Sequence, residues 1–84
     1  MADDTLDNLR AAMAKAERVR GADRIRAMAK VRAAAQEVED RELVSILEVR
    51  SAYKVAVQLG ITPPAVYARA KHARKRLGHA DAPR

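Results

Sequence analysis

Three glycines and three prolines are the only residues in this chain that break a helix, and they are confined to positions 21, 60, 63, 64, 78 and 83. The stretches between them are dominated by Ala, Leu, Arg, Lys, Glu and Met, which favour helical backbone. No segment alternates apolar and polar residues with the strict period of a half-buried strand. The expected fold class is therefore all-α, with glycine and proline marking where one helix stops and the next starts. Tyr53 and Tyr67 are the only aromatic residues, so the core must be thin and built from Leu, Ile, Val, Met and Ala.

Apolar residues recur at helical spacing in two long segments. Leu6, Leu9, Met13, Ala16 and Val19 form one stripe, in a helix expected from near Thr5 to just before Gly21. Asp23 is then a candidate N-cap for a segment that reaches Arg50 without Gly or Pro, with Ile25, Met28, Val31, Ala35 and Val38 followed by Leu43, Ile46 and Leu47. Two alternatives stay open for residues 23–50: one long helix, or two that break at the polar stretch Glu37–Glu42. Residues 1–50 are expected to form a helical hairpin, and a stripe longer than the first helix can cover makes residues 5–50 a candidate homodimer seam.

Ser51 is the next candidate cap, opening a short helix Ala52–Leu59 that Gly60 closes. Thr62 then caps a last helix, with Pro63 at its first position, where a missing N–H costs nothing. That helix is expected to run to about Leu77, before Gly78. Residues 79–84 are expected to be a flexible tail.

Charge divides the chain sharply. Residues 1–42 carry nine basic and nine acidic side chains, whereas residues 43–84 carry eight basic side chains against Glu48 and Asp81, so the whole net charge of +6 lies in the second half. No acidic residue occurs between Arg50 and Ala80, and Arg69, Lys71, Arg74, Lys75 and Arg76 crowd into the last helix. A cationic cluster of this kind is the electrostatic footprint of a surface that docks on phosphates.

Several function classes are disfavoured. Without Cys there are no disulfides, thiolate metal sites or Cys nucleophiles, and His72 and His79 alone cannot complete a zinc site. Ser51 and Thr62 are better explained as helix caps than as nucleophiles, and no phosphate-binding Gly-rich loop is present. No enzyme, metal or cofactor is expected. No apolar run approaches the roughly 20 residues that a membrane span needs, and Asp3, Asp4 and Asp7 are the opposite of the basic lead of a signal peptide. The expectation is a cytoplasmic, nucleoid-associated protein without a membrane partner.

Two short helices joined by a Gly-containing turn have the local architecture of a helix-turn-helix, expected here over residues 51–78. The segment Ser51-Ala-Tyr-Lys-Val-Ala-Val-Gln-Leu-Gly-Ile-Thr62 resembles the pattern S-x-x-x-[IV]-A-x-x-L-G-[IV]-[ST] of region 4 of bacterial sigma factors. The residues from Ala65 to Leu77 resemble the recognition helix of extracytoplasmic-function sigma factors, A-V-x-x-R-L-x-R-A-R-x-x-L, with Ala70 in place of the long apolar residue. The resemblance covers residues 51–77 and does not extend to the promoter-melting domain of a sigma factor, for which 84 residues leave no room.

This resemblance implies that Thr62, Pro63, Pro64, Tyr67, Ala68 and Lys71 lie toward DNA, with Arg69, Arg74, Lys75 and Arg76 near the phosphate backbone. It also implies that Val55, Ala56, Leu59, Ile61, Val66, Ala73 and Leu77 are core. The function expected is sequence-specific binding of double-stranded DNA through the major groove, in bacterial transcription regulation. The alternative is an interaction module of the same fold that binds RNA polymerase or a sigma partner.

Overall fold

The computed structural model describes residues 4–78, and the expected tail at 79–84 lies outside them. Among the described residues the fold is all-α, with helices α1 (Asp4–Arg18), α2 (Ala22–Leu47), α3 (Ala52–Leu59) and α4 (Pro63–Arg76) and no strand. α2 is a single helix, which settles the alternative left open by the polar stretch at 37–42. The chain divides into two compact units, one up to Val38 and one from Glu39 onward. The division falls inside α2 rather than at residue 50, because Leu43, Ile46 and Leu47 pack with α3 and α4.

In the first unit, α1 carries Asp4 and Asp7 in its first turn and Lys15 and Arg18 in its last, an order that complements the helix dipole. Gly21 adopts a left-handed φ of +62°, and its carbonyl accepts the N–H groups of Arg24 and Ile25 at 3.0 and 3.1 Å. α2 therefore starts at Ala22. Asp23, expected as its N-cap, lies inside the first turn and pairs with Arg26 at 2.7 Å. Arg24 reaches back to the end of α1, where Nε donates to the Ala16 carbonyl at 3.1 Å and Nη2 to the Glu17 carbonyl at 3.4 Å. These are carbonyls near a helix end, where the intrahelical ladder runs out. The residues buried here are Ala16 and Ala27, while Ile25, expected in the apolar stripe, is 73% exposed. The inward face of α2 is set by small Ala27 with half-buried Val31 and Ala34, and that phase turns Ile25 and Met28 outward.

In the second unit, Val55, Ala56 and Val66 form the core, and Leu43, Ile46, Leu47, Ala52 and Ile61 pack against it. Every turn between its helices is closed by a specific hydrogen bond. Ser51 Oγ accepts from the Lys54 N–H at 3.2 Å and caps α3. At the other end, Gly60 takes φ +72°, Ile61 N–H donates to the Ala56 carbonyl at 3.0 Å, and Gly60 N–H donates to the Val57 carbonyl at 3.3 Å. These two bonds make a Schellman motif, in which the residue after the glycine folds back on the helix. Ile61 does so and joins the core, whereas Leu59, expected there, is exposed. Thr62 Oγ1 accepts from the Ala65 N–H at 3.3 Å and caps α4.

One contact in this unit joins residues far apart in sequence. Asp40 on α2 is 3% exposed, and its carboxylate accepts from Arg76 at the end of α4 through both oxygens, Nε to Oδ2 at 2.7 Å and Nη2 to Oδ1 at 2.9 Å. This is the fork-to-fork geometry in which a guanidinium holds a carboxylate most firmly. The hydrogen bond to Asp40, reinforced by its negative charge, raises the Arg76 pKa above the ordinary arginine value against a smaller opposing effect of burial.

Two stability measurements follow. A Cβ added at Gly60 meets no atom within 4 Å, so Gly60→Ala carries the backbone penalty alone and is expected to cost about 1 kcal/mol in urea unfolding, with Gly60→Asn costing less. Arg76→Met strips a buried carboxylate of its guanidinium, whereas Asp40→Asn leaves a half-exposed guanidinium that water reaches. Arg76→Met should thus lower the urea midpoint more than Asp40→Asn, and Asp40→Leu/Arg76→Met should recover most of the loss. Equal midpoints for all three variants would contradict this ordering.

Candidate nucleic-acid interface

α4 is positioned by its buried face. Val66, Ala70 and Ala73 recur at four and three residues and are all fully covered, so the opposite face must point to solvent. Ala70, the departure from the sigma-like pattern, is 1% exposed: a small side chain here is packed and not a gap in the surface. Leu77, expected as core, is half-buried at the helix end.

The outward face carries Pro64, Tyr67, Ala68, Lys71 and Lys75, which follow one another at helical spacing and are all exposed. Tyr67 is 66% exposed. Thr62 is exposed at the front of the helix with its hydroxyl engaged by the Ala65 N–H, and Pro63 is half-buried. Arg69 is exposed on one flank, and Arg74 is half-buried on the other, beside Tyr67 in helical phase.

The start of α4 lacks the donors with which helix N-termini often hold phosphate. Pro63 and Pro64 have no N–H, the Ala65 N–H is taken by Thr62 Oγ1, and the Val66 N–H donates to the Thr62 carbonyl at 3.1 Å. Any anion at this helix must therefore be held by side chains. The exposed front is apolar, from Pro64 and Ala68, and suits contact with a methyl group better than a hydrogen bond.

The cations differ in what they already hold. Among the described residues, Arg69, Lys71, Arg74 and Lys75 have no carboxylate partner, whereas Arg76 is bound by Asp40 at 2.7 Å. The sequence groups Arg76 with the phosphate contacts, and the fold gives it an intramolecular anion. Asp40 itself is the residue that reading of motifs misses. Its signal is helical phase: Asp40, Leu43 and Leu47 share one face of α2, so an acid stands where the pattern calls for an apolar residue. Arg50, just before α3, donates to Gln58 Oε1 at 3.1 Å, which ties the entry of α3 to its last turn without neutralising the charge.

No group of three or more His, Asp or Glu side chains that could hold a metal ion occurs among the described residues. No helix among the described residues is long and apolar enough to cross a membrane. No protein-family model, curated protein or solved structure matches this chain.

Proposed function

We propose that this chain is a small non-enzymatic DNA-binding protein of the bacterial cytoplasm, associated with the nucleoid and acting in transcription regulation. α3, the turn at residues 60–62 and α4 serve in this reading as a helix-turn-helix of the sigma region 4 type, with α4 in the major groove of duplex DNA. The observation that carries it is the set of cations on α4 that have no carboxylate partner within the described chain, on a helix capped at its front and buried on its opposite face. Arg69, Lys71, Arg74 and Lys75 neutralise phosphates and set affinity, while Thr62, Pro64, Tyr67, Ala68 and Lys71 meet the base edges and set selectivity.

Homodimerisation through residues 5–50 would double the contact with DNA and space two half-sites by about 34 Å. The exposed apolar side chains Met13, Ile25 and Met28 favour this arrangement. Binding of RNA polymerase or a sigma partner is the second reading, favoured by Tyr53 and Val57, which are both exposed and lie four residues apart on α3.

Selection of bound sequences from a random duplex library tests the reading. A defined consensus is expected, palindromic if the protein is dimeric, and Tyr67→Ala should flatten it without changing the salt dependence of binding. Recovery of unselected sequence, together with retention of polymerase in a pull-down, would favour the second reading. Sedimentation at tens of micromolar that finds only monomer would remove the dimer.

A further inference from the structure

Arg76 looks, in sequence, like one more member of the cluster that runs from Arg69. Its surroundings say otherwise. The Asp40 side chain is 96% buried, both its oxygens receive Arg76 at 2.7 and 2.9 Å, and 36 residues separate the two partners. The Arg76 side chain remains 48% exposed, so it is close enough to the surface to be mistaken for a phosphate ligand.

We infer that Asp40 is a positioning residue for the recognition helix, which holds the end of α4 by its fork to Arg76 and thereby takes Arg76 out of the set that neutralises DNA. The inference rests on the DNA-binding reading and adds to it a division of labour among the cations. A guanidinium facing a buried carboxylate is electrically neutral as a pair, and while so held it neutralises no phosphate and releases no counterion from the DNA. For Arg76 to reach a phosphate it must leave Asp40, which exchanges one anion for another and leaves a carboxylate buried without its guanidinium. Arg69, Lys71 and Lys75 face no such exchange, because among the described residues they have no carboxylate to abandon. The pair fixes the end of α4 while those three, with Arg74, carry the phosphate contacts.

Salt-dependent binding to a random-sequence duplex separates the two roles, since each phosphate neutralised contributes about 0.9 to the slope of log affinity against log salt. For the full chain, Arg69→Gln, Lys71→Gln and Lys75→Gln should each make the slope shallower by about one unit. Arg76→Met should leave the slope of the wild-type protein unchanged while lowering affinity at every salt concentration, because it loosens the helix. Asp40→Asn keeps the shape of the side chain but unmasks the charge of Arg76, and should steepen the slope by about one unit.

Should Arg76→Met fail to fold by far-UV circular dichroism, Asp40→Leu/Arg76→Met removes both charges together and is expected to keep the wild-type slope. A slope about one unit shallower in either variant makes Arg76 a phosphate contact and overturns the inference, with the DNA-binding reading intact. An unchanged slope in Asp40→Asn would overturn it as well. If the wild-type chain shows no salt-dependent DNA binding, or if Arg69, Lys71 and Lys75 variants leave its slope untouched, the DNA-binding reading itself fails and the inference falls with it.

Discussion

The second unit depends on the contact of two valines and an alanine. Val55, Ala56 and Val66 are the covered residues around which α3, α4 and the end of α2 assemble. Burial of a valine side chain contributes only about 1.5–3 kcal/mol, and an alanine less, so this core is weak by itself. Aromatic side chains add nothing to it, because Tyr53 and Tyr67 are both exposed. What such a core offers is closeness: alanine at positions 56, 70 and 73 leaves no long side chain to hold the helices apart. Close helices then require turns of defined shape, and the Ser51 and Thr62 caps and the left-handed Gly60 supply them.

Local rules were the most legible part of the fold. The boundaries of α3 and α4 could be placed from Ser51, Gly60, Thr62 and Pro63, because a cap is chemistry between residues two or three apart. Packing was less legible. Ile25 and Leu59 are large and apolar, and the apolar pattern assigns the first to the interior and the resemblance the second, yet both are exposed. Two helical phases compete in α2, and small Ala27 takes the inward position while Ile25 stays exposed. At the end of α3, the Schellman turn brings Ile61 rather than Leu59 onto the core. The Asp40–Arg76 pair was legible only as an acid at an apolar phase, since nothing local indicates a partner 36 residues away.

Charge and packing are joined at α4. Its buried face uses small residues, which frees the remaining positions for long cations and for Tyr67. The same helix offers no backbone donor at its front, with two prolines and two occupied N–H groups, so its chemistry toward an anion is that of its side chains alone. An apolar, methyl-sized front followed by lysines and arginines is a surface suited to a polyanion whose groove displays methyl groups and base edges between phosphates.

The central claim is that the outward face of α4 is the face that meets duplex DNA. Amide chemical-shift mapping during titration with a short duplex at low salt tests it most directly. The account predicts that the largest changes fall on Tyr67, Ala68, Lys71 and Lys75, with Tyr53 and Val57 on α3 little affected. Changes concentrated at Tyr53 and Val57, or none along α4 at saturating duplex, would contradict it.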